Sequence, residues 1–290
     1  MSASRPEVVG VHVVVGGFPP GSPAGHDMDL ARLRLLGLLA EDPGRRTTVA
    51  SDYADLERWL PGSRFLVTYV AGPVLDEPGN RLLSEWLDAG GRWLALHGTS
   101  GGKAVKLDGD RRRRAMVRSP HHDTLGCFFL NHPPLCRFRV EVSTGHELTT
   151  GLPSSFEVED ELYLIEMLDL ASSQVLLTTE LARDPSPPGF GFVYERDTSV
   201  QPDGRTRVLG YTRSVGSGGV TYLALGHCHG PASNTQPFVD TSVASDNRTP
   251  LVFHGSWDAA PFQTLLRNAM AWGTAPRSGT VGAATADRPG

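Results

Sequence analysis

The first hundred residues alternate short apolar runs with stretches of helical period. Residues 8–15 read Val-Val-Gly-Val-His-Val-Val-Val, a β-branched and nearly continuous run that is typical of a strand covered on both faces by helices. Four such strand–helix units in succession predict a parallel, doubly wound sheet flanked by helices. The strands are predicted at 8–15, 47–50, 65–71 and 92–99, and the helices at 29–40, 53–60 and 82–89.

The second half of the chain is predicted to contain more strand than helix. Alternating or β-branched apolar runs recur there, and a glycine-rich turn at 216–219 separates two of them as in a β-hairpin. We predict one domain over residues 1–273, with a flavodoxin-like, mostly parallel sheet and extra antiparallel strands in its second half. Strands are predicted at 136–142, 157–162 and 175–179, a hairpin at 208–225, and a last helix at 261–272.

Two segments lack a core-forming pattern. Residues 101–122 are polar and basic, and we predict an insertion loop whose arginine run at 111–114 is a solvated face. Residues 274–290 are small and polar, which predicts a disordered tail.

Charge and hydropathy restrict the partners and the compartment. The net charge is −5 and most arginines are scattered, so nucleic acid is not an expected partner. No stretch approaches the roughly 18 apolar residues that span a bilayer, and the N-terminus lacks the order of a signal peptide, so we expect no membrane partner and a cytoplasmic protein. Homo-oligomerisation stays open.

The cysteines do not suggest a disulfide framework or a thiolate metal site. Their number is 3, and no two of them form a Cys-x-x-Cys pair. We expect Cys127, Cys136 and Cys228 to be free and mostly buried thiols.

Several of the histidines follow predicted strands, where open α/β sheets place their ligand sites. His97 lies where the fourth strand meets a glycine turn, the position of the reactive side chain in nucleophile-elbow proteins. His227 and His229 directly follow the strand at 220–225, and His26 lies in the loop after the first strand. These side chains are therefore expected to meet at one edge of the sheet.

An ordered set of motifs runs through the chain from about residue 8 to residue 272, and the order of the motifs is more specific than any one of them. They are the glycine-led strand 90–97 ending in His97, the segment 126–133 ending in His132-Pro133, the block His146…Gly151-Leu152-Pro153 with Glu159-Asp160-Glu161-Leu162-Tyr163, Leu225-Gly226-His227, and Trp272. This set of motifs, in this order, resembles the ThuA-like (trehalose utilisation) family.

The resemblance implies a class I glutamine amidotransferase-like fold and a sugar-related substrate. In that superfamily the elbow carries a nucleophilic cysteine, whereas this chain has His97 there. Glutaminase chemistry by a thiolate is therefore not expected. The sugar comes only from the family's association with trehalose utilisation.

Imidazoles that converge with carboxylates suit a divalent metal, zinc first among them. Adjacent strand residues face opposite ways, so at most one of Asp160 and Glu161 is expected to enter the pocket. The prediction is a metal-assisted enzyme that hydrolyses or isomerises a sugar or keto-sugar derivative. The predicted ligands are His26, His97 and His227; the catalytic residues Asp160, Glu161 and His132; and the substrate-binding residues Thr99, His229, His254 and Trp257.

Other interpretations stay open at this point. A strand-end histidine is often only a cap for backbone groups, and His132 before proline suits a rigid turn. The chain could be a non-catalytic sugar-binding or regulatory module, or a hydrolase in which Thr99 or Ser100 is activated by His227. The substrate does not carry over from the family, because the segments 101–122 and 231–257 depart from its pattern beside the predicted site.

Overall fold

The structure, a computed structural model, describes residues 8–18, 25–107 and 110–276, and for 110–112 the backbone alone. The predicted tail therefore lies outside the described residues from position 277 onward, and Thr274 is the last residue of a helix. The helices are α1 Met28–Ala40, α2 Leu56–Trp59, α3 Glu77–Asp88, α4 Pro120–Leu125 and α5 Ala260–Thr274.

A nine-stranded mixed sheet, in the order β2-β1-β3-β4-β13-β12-β11-β8-β9, crosses the described part of the molecule. Two short antiparallel ribbons, β7 with β10 and β5 with β6, lie outside it. The strands are β1 Val9–Gly16, β2 Arg45–Ala50, β3 Phe65–Val70, β4 Arg92–Leu96, β5 Ala104–Leu107, β6 Asp110–Met116, β7 Cys127–Asn131, β8 Cys136–Val142, β9 Ser155–Asp160, β10 Leu164–Met167, β11 Ser173–Glu180, β12 Thr206–Val215 and β13 Gly218–Leu223.

The predicted parallel, doubly wound half is confirmed. Strands β2, β1, β3, β4 and β13 run parallel to one another. The six residues of β3 are all buried, which explains why its sequence reads as an uninterrupted apolar run. Helix α1 packs beside α5, and α3 packs beside α2 and α4. The carboxyl ends of the parallel strands therefore form one edge.

The other half of the sheet is antiparallel, as predicted. The turn after β12 pairs it with β13, and β11, β8 and β9 extend the sheet beyond it. The strand predicted at 157–162 lies at Ser155–Asp160, so Glu161 follows the strand instead of belonging to it. Strands β7 and β10 were not predicted as strands; they pair with each other outside the main sheet.

The prediction of a loop at 101–122 is wrong. Strands β5 and β6 pair as an antiparallel hairpin, and α4 begins at Pro120 after a capping box formed by Ser119 and His122. His121 and His122 are buried. Sequence reasoning missed the hairpin because its strands are polar and charged: their stability depends on pairing with each other, and no apolar alternation marks them.

An ion pair between buried Arg207 and half-buried Asp197 links β12 to the loop before it. Arg207 is only 1% exposed, and its guanidinium donates to both carboxylate oxygens of Asp197, at 3.0 and 2.8 Å. It also donates to Leu181 O at 2.7 Å and to Ser199 Oγ. We call these residues the Arg207 network. Each of its polar side-chain atoms that is buried has a partner.

Within the described residues, no helix combines the length and the apolar character that crossing a membrane requires.

Candidate metal centre

The turn after β4 holds His97 in a strained conformation. Strand β4 ends at Leu96, and residues His97–Ser100 form a single 3-10 turn. His97 has φ 42°, in the left-handed region that non-glycine residues rarely adopt. Such a conformation costs about 1–3 kcal/mol and persists where the surrounding structure requires it. The chain therefore has the predicted elbow, with an imidazole at its apex.

Three imidazoles and one carboxylate converge at the carboxyl edge of the parallel strands. His26, His97, His227 and Glu161 are all buried, and one ligand atom from each lies within 4.8 Å of the others. Glu161 Oε2 lies 3.3 Å from His97 Nε2 and 3.1 Å from His227 Nδ1. Neither nitrogen makes a hydrogen bond within the described residues. We call these four residues the His/Glu cluster.

Backbone contacts determine which nitrogen of His97 carries its proton. His97 Nδ1 lies 2.7 Å from Ala224 O. A carbonyl oxygen only accepts, so Nδ1 must be the donor. In a neutral ring, Nε2 then has a lone pair, and this lone pair faces Glu161.

For His227, the nitrogen that carries the proton is determined through a second imidazole, that of His229. His229 Nε2 lies 2.9 Å from Pro250 O and must donate to it. Burial lowers the pKa of His229, so the ring is neutral and its Nδ1 is an acceptor. His227 Nε2, 3.0 Å away, donates to that acceptor. In a neutral ring, the remaining nitrogen, His227 Nδ1, then presents a lone pair to Glu161.

His26 and Glu161 complete the cluster. Burial, and then the neighbouring rings of His97 and His227, hold the pKa of His26 well below its usual range, so His26 is neutral. Its buried Nδ1 has no partner among the described residues. Burial acts to raise the pKa of Glu161, but the positive charge that His132 and His227 carry when protonated outweighs it and lowers that pKa well below its usual range. Glu161 is therefore ionised.

Acceptors thus face acceptors at the centre of the cluster. The lone pairs of His97 and His227 point at a carboxylate, an arrangement that repels unless a cation lies between them. A single proton would satisfy only one of the two nitrogens and would leave the other facing Glu161 Oε2. Protonating both rings would bury two imidazolium ions against one carboxylate, which carries a large desolvation cost. Neutral imidazoles and a carboxylate are the ligand types that first-row divalent metals prefer. The residues present therefore fit such a metal.

Asp160 turns away from the cluster, as expected of the neighbour of Glu161. Its two carboxylate oxygens accept from the backbone N–H groups of Gly226 and His227, each at 2.9 Å, and one of them also accepts from Ser256 Oγ. Asp160 is fully buried and does not line the cavity described below. The structure therefore places Asp160 outside the cavity, where it holds the backbone that carries His227.

A cavity of about 810 Å³ opens onto the cluster through His26 and Glu161. His132, whose side chain is 14% exposed, also lines it, and His132 Nε2 lies 3.6 Å from Glu161 Oε1. Aromatic rings form much of the remaining wall. They are Phe18, Phe129, Tyr163 and Phe192.

None of the predicted substrate-binding residues lines this cavity. Thr99 is buried and hydrogen-bonds to Thr68 across two strands. His229 contacts His227, whose Nε2 donates to His229 Nδ1 at 3.0 Å. Trp257 is buried and donates to Gly226 O at 2.7 Å, which holds the same backbone as Asp160 does. His254 pairs with Asp258 at 2.9 Å, away from the cavity. Each of these side chains follows a strand or turn, but packing directs it elsewhere.

Nucleophilic alternatives receive no support from the geometry. Ser100 Oγ is buried and bonded to His97 O and Tyr222 Oη, so it reaches neither His227 nor the cavity. The three cysteines are free, and burial raises the pKa of each thiol to about 12. At neutral pH they are therefore protonated and unreactive.

Sequence reasoning missed two neighbours of Glu161. Gln236 Nε2 donates to Glu161 Oε1 and so orients the carboxylate. Tyr163 stacks on His97 with ring centroids 4.0 Å apart. Tyr163 is the last residue of the motif Glu159-Asp160-Glu161-Leu162-Tyr163, and its place in that motif could have indicated that it belongs to the site. Gln236 lies in a long loop with no pattern around it, and only the folded chain brings it to the site.

Fold and site together define an α/β scaffold, half parallel and half antiparallel, whose turn after β4 presents a histidine. The family model described as ThuA, trehalose utilisation, matches residues 24–240. The chain therefore belongs to the ThuA family. No curated protein matches it in sequence.

Solved structures agree with this fold. A putative ThuA-like protein from Bacteroides uniformis is 16% identical, with 94% of each chain covered and a TM-score of 0.56. A second one, from Parabacteroides merdae, is 14% identical over 98% of this chain and 94% of the other, with a TM-score of 0.52. A glutamine amidotransferase from Thermotoga maritima aligns over 92% of this chain and 98% of the other at 11% identity, and its TM-score of 0.45 is too low to support an inference.

Proposed function

We propose that this protein is a metal-dependent enzyme that hydrolyses or isomerises a sugar or keto-sugar derivative. The observation that carries the proposal is the pair of lone pairs directed at Glu161. Hydrogen bonds to Ala224 O and, through His229, to Pro250 O leave His97 Nε2 and His227 Nδ1 as acceptors. A purely structural histidine cluster would satisfy its buried nitrogens with donors and acceptors of its own.

His26, His97, His227 and Glu161 would hold the ion, with zinc the first candidate. Four-coordinate catalytic zinc keeps three protein ligands and one open position, so four protein ligands also suit metals of higher coordination number. A divalent ion in this position supplies Lewis acidity toward a substrate oxygen. We therefore assign Glu161 as a metal ligand. The proton transfer predicted for it would then be carried out by another residue.

His132 is the candidate for that proton transfer. His132 Nδ1 lies 2.8 Å from Pro133 O and must donate to it, so in a neutral ring His132 Nε2 carries the lone pair. This nitrogen is at the cavity wall and beside Glu161. It can accept a proton from a substrate hydroxyl, from a carbon next to a carbonyl, or from water, as hydrolysis and isomerisation require.

The substrate class is supported by the family and by the cavity. The family is described by trehalose utilisation. A volume of about 810 Å³ is in the usual range for small-molecule sites, and aromatic faces at its wall suit the apolar faces of sugar rings.

The metal is tested first by elemental analysis of protein purified without a histidine tag. We expect about one equivalent of zinc, manganese or another divalent ion in the wild type, and its loss in His97→Ala and His227→Ala. His254→Ala is the matched control, because His254 is outside the cluster, and it should retain the metal. A wild type that stays metal-free after incubation with these ions would leave the non-catalytic sugar-binding module as the better interpretation.

Turnover is tested separately from metal binding. Metal-loaded wild type is screened against sugars and oxidised sugars, with and without chelator. His132→Gln should keep the metal and lose about 10²–10⁴-fold in kcat, the range of a general base. Activity that survives both chelator and His132→Gln would contradict the assigned mechanism.

A further inference from the structure

A basic hairpin forms one side of the cavity in an otherwise acidic protein. Residues 103–118, which contain β5 and β6, carry seven basic and two acidic side chains, a net charge of +5, whereas the whole chain carries −5. Lys103, Ala104, Arg114 and Met116 of this segment line the cavity. The insertion that sequence analysis assigned to a solvated loop is therefore part of the site.

The register of the hairpin directs Arg114 at the cavity. Ala104 pairs with Met116, and Lys106 pairs with Arg114, so these four side chains share one face of the ribbon. Two of them besides Arg114, namely Ala104 and Met116, also line the cavity. Arg113 and Arg114 are both exposed, and strand alternation places the side chain of Arg113 on the opposite face. On β6, the side chain of Arg114 therefore faces the cavity, and the side chain of the neighbouring Arg113 faces away from it.

Arg114 is held in place by two contacts. Its carbonyl oxygen accepts from Val193 N at 2.8 Å, which ties β6 to the loop that carries Phe192. Its guanidinium carbon lies 5.0 Å from the centre of the Phe192 ring, which orients the plane of the guanidinium. Neither Arg114 nor Lys103 forms an ion pair with any side chain that the structure describes. Both cations can therefore bind a ligand in the cavity.

The described side chains that line the cavity include two cations, Lys103 and Arg114, and one carboxylate, Glu161. Apart from Glu161, which belongs to the His/Glu cluster, the part of the lining that the structure describes contains no carboxylate. We propose that the substrate carries an anionic group, a carboxylate or a phosphate, which Arg114 and Lys103 bind while the rest of the molecule reaches the His/Glu cluster. This inference rests on the proposed function for the identity of the ligand as a substrate. Guanidinium is well suited to either anion, because its parallel N–H groups match two oxygens.

Binding of defined probes to the full-length, metal-loaded protein tests this proposal. Isothermal titration calorimetry compares D-gluconate and glucose-6-phosphate with D-glucose. We expect the anionic probes to bind at least about tenfold more tightly than glucose, and Arg114→Gln to abolish that preference. Arg113→Gln is the matched control, since it removes the same charge from the opposite face, and it should keep the preference. Whichever anion binds more tightly identifies the chemistry, carboxylate or phosphate.

The same samples separate this proposal from the metal. Metal content is measured before each titration. Equal affinity for glucose and both anions, no binding of any probe at millimolar concentration, or a preference that survives in Arg114→Gln overturns the anion site. If the wild type lacks metal but shows an anion preference that depends on Arg114, the proposed function fails and the anion site stands.

Discussion

The Arg207 network and the His/Glu cluster are both buried and both polar, but their hydrogen bonding differs. In the network, the Arg207 guanidinium donates to Asp197, Ser199 and Leu181. In the cluster, nitrogens of three histidines have no partner among the described residues. A network that satisfies itself needs only its own chain, whereas acceptors that face acceptors need something from outside. The comparison thus separates a structural cluster from a ligand site.

Breaking the satisfied cluster should have the largest effect on stability. Asp197→Asn leaves the 1% exposed guanidinium of Arg207 without its counter-charge and should lower the free energy of unfolding by about 3–5 kcal/mol. Urea unfolding followed by circular dichroism measures the change. Glu180→Gln removes an exposed carboxylate and should change stability by less than about 0.5 kcal/mol. Equal effects of the two variants would show that the network is not structural.

Filling the unsatisfied cluster should stabilise the protein by a slightly smaller amount. Divalent metal at 100 times its Kd should raise the free energy of unfolding of the wild type by about 2.7 kcal/mol. Glu161→Gln removes the anionic ligand, so metal should give this variant little or no stabilisation. Thermal unfolding with and without metal checks this, with Glu157→Gln, an exposed change on β9, as the control. Stabilisation of Glu161→Gln that matches the wild type would place the metal elsewhere.

The hydrogen-bond chain behind His227 offers a finer test. His229→Phe keeps an aromatic ring beside Phe253 but removes the acceptor for His227 Nε2–H. We expect metal affinity to fall roughly 10–100-fold, because the His227 tautomer is no longer held. Competition with a chromophoric chelator measures the affinity, and His254→Ala should match the wild type. An unchanged affinity would mean that the chain does not orient the ligand.

Acid should weaken the Arg207 network by the smallest amount. Burial acts to raise the pKa of Asp197, but hydrogen bonds from Arg207 and Ser199 outweigh it, so the pKa is lowered in the folded state. The resulting stability is present above the unfolded pKa of about 3.9 and is lost as pH falls through the lower folded value, about 1.4 kcal/mol for each unit of difference. Urea unfolding of metal-free protein between about pH 6 and pH 3 measures it, and Asp197→Asn should lack this contribution to the slope.

Patterns near one another in the chain predicted much of the site. The buried parallel strands indicate where their carboxyl ends lie, and His26, His97 and His227 each follow such a strand. These three residues meet in the structure, as expected. The reason is geometric: parallel strands bring their carboxyl ends to the same edge of a sheet, whatever lies between them in sequence.

Residues whose partners are distant in sequence were assigned less well. Thr99, Trp257 and Asp160 satisfy hydrogen bonds that hold neighbouring backbone, whereas the cavity is lined by Gln236 from one long loop and Arg114 from a hairpin that was predicted as a loop. A polar hairpin has no apolar period, and a loop residue has no period at all. Sequence patterns therefore could not assign either Arg114 or Gln236 to the site.

The sequence by itself determined the parallel sheet, the histidine at the elbow and the ThuA family, because strand periodicity and motif order are properties of the chain. Only the tertiary structure decided which nitrogen of each imidazole faces Glu161. That choice depends on Ala224 O and Pro250 O, carbonyl groups that every residue possesses and that no residue type reveals. A ligand type can therefore be read from a sequence, but its protonation depends on which backbone oxygen the fold places beside it.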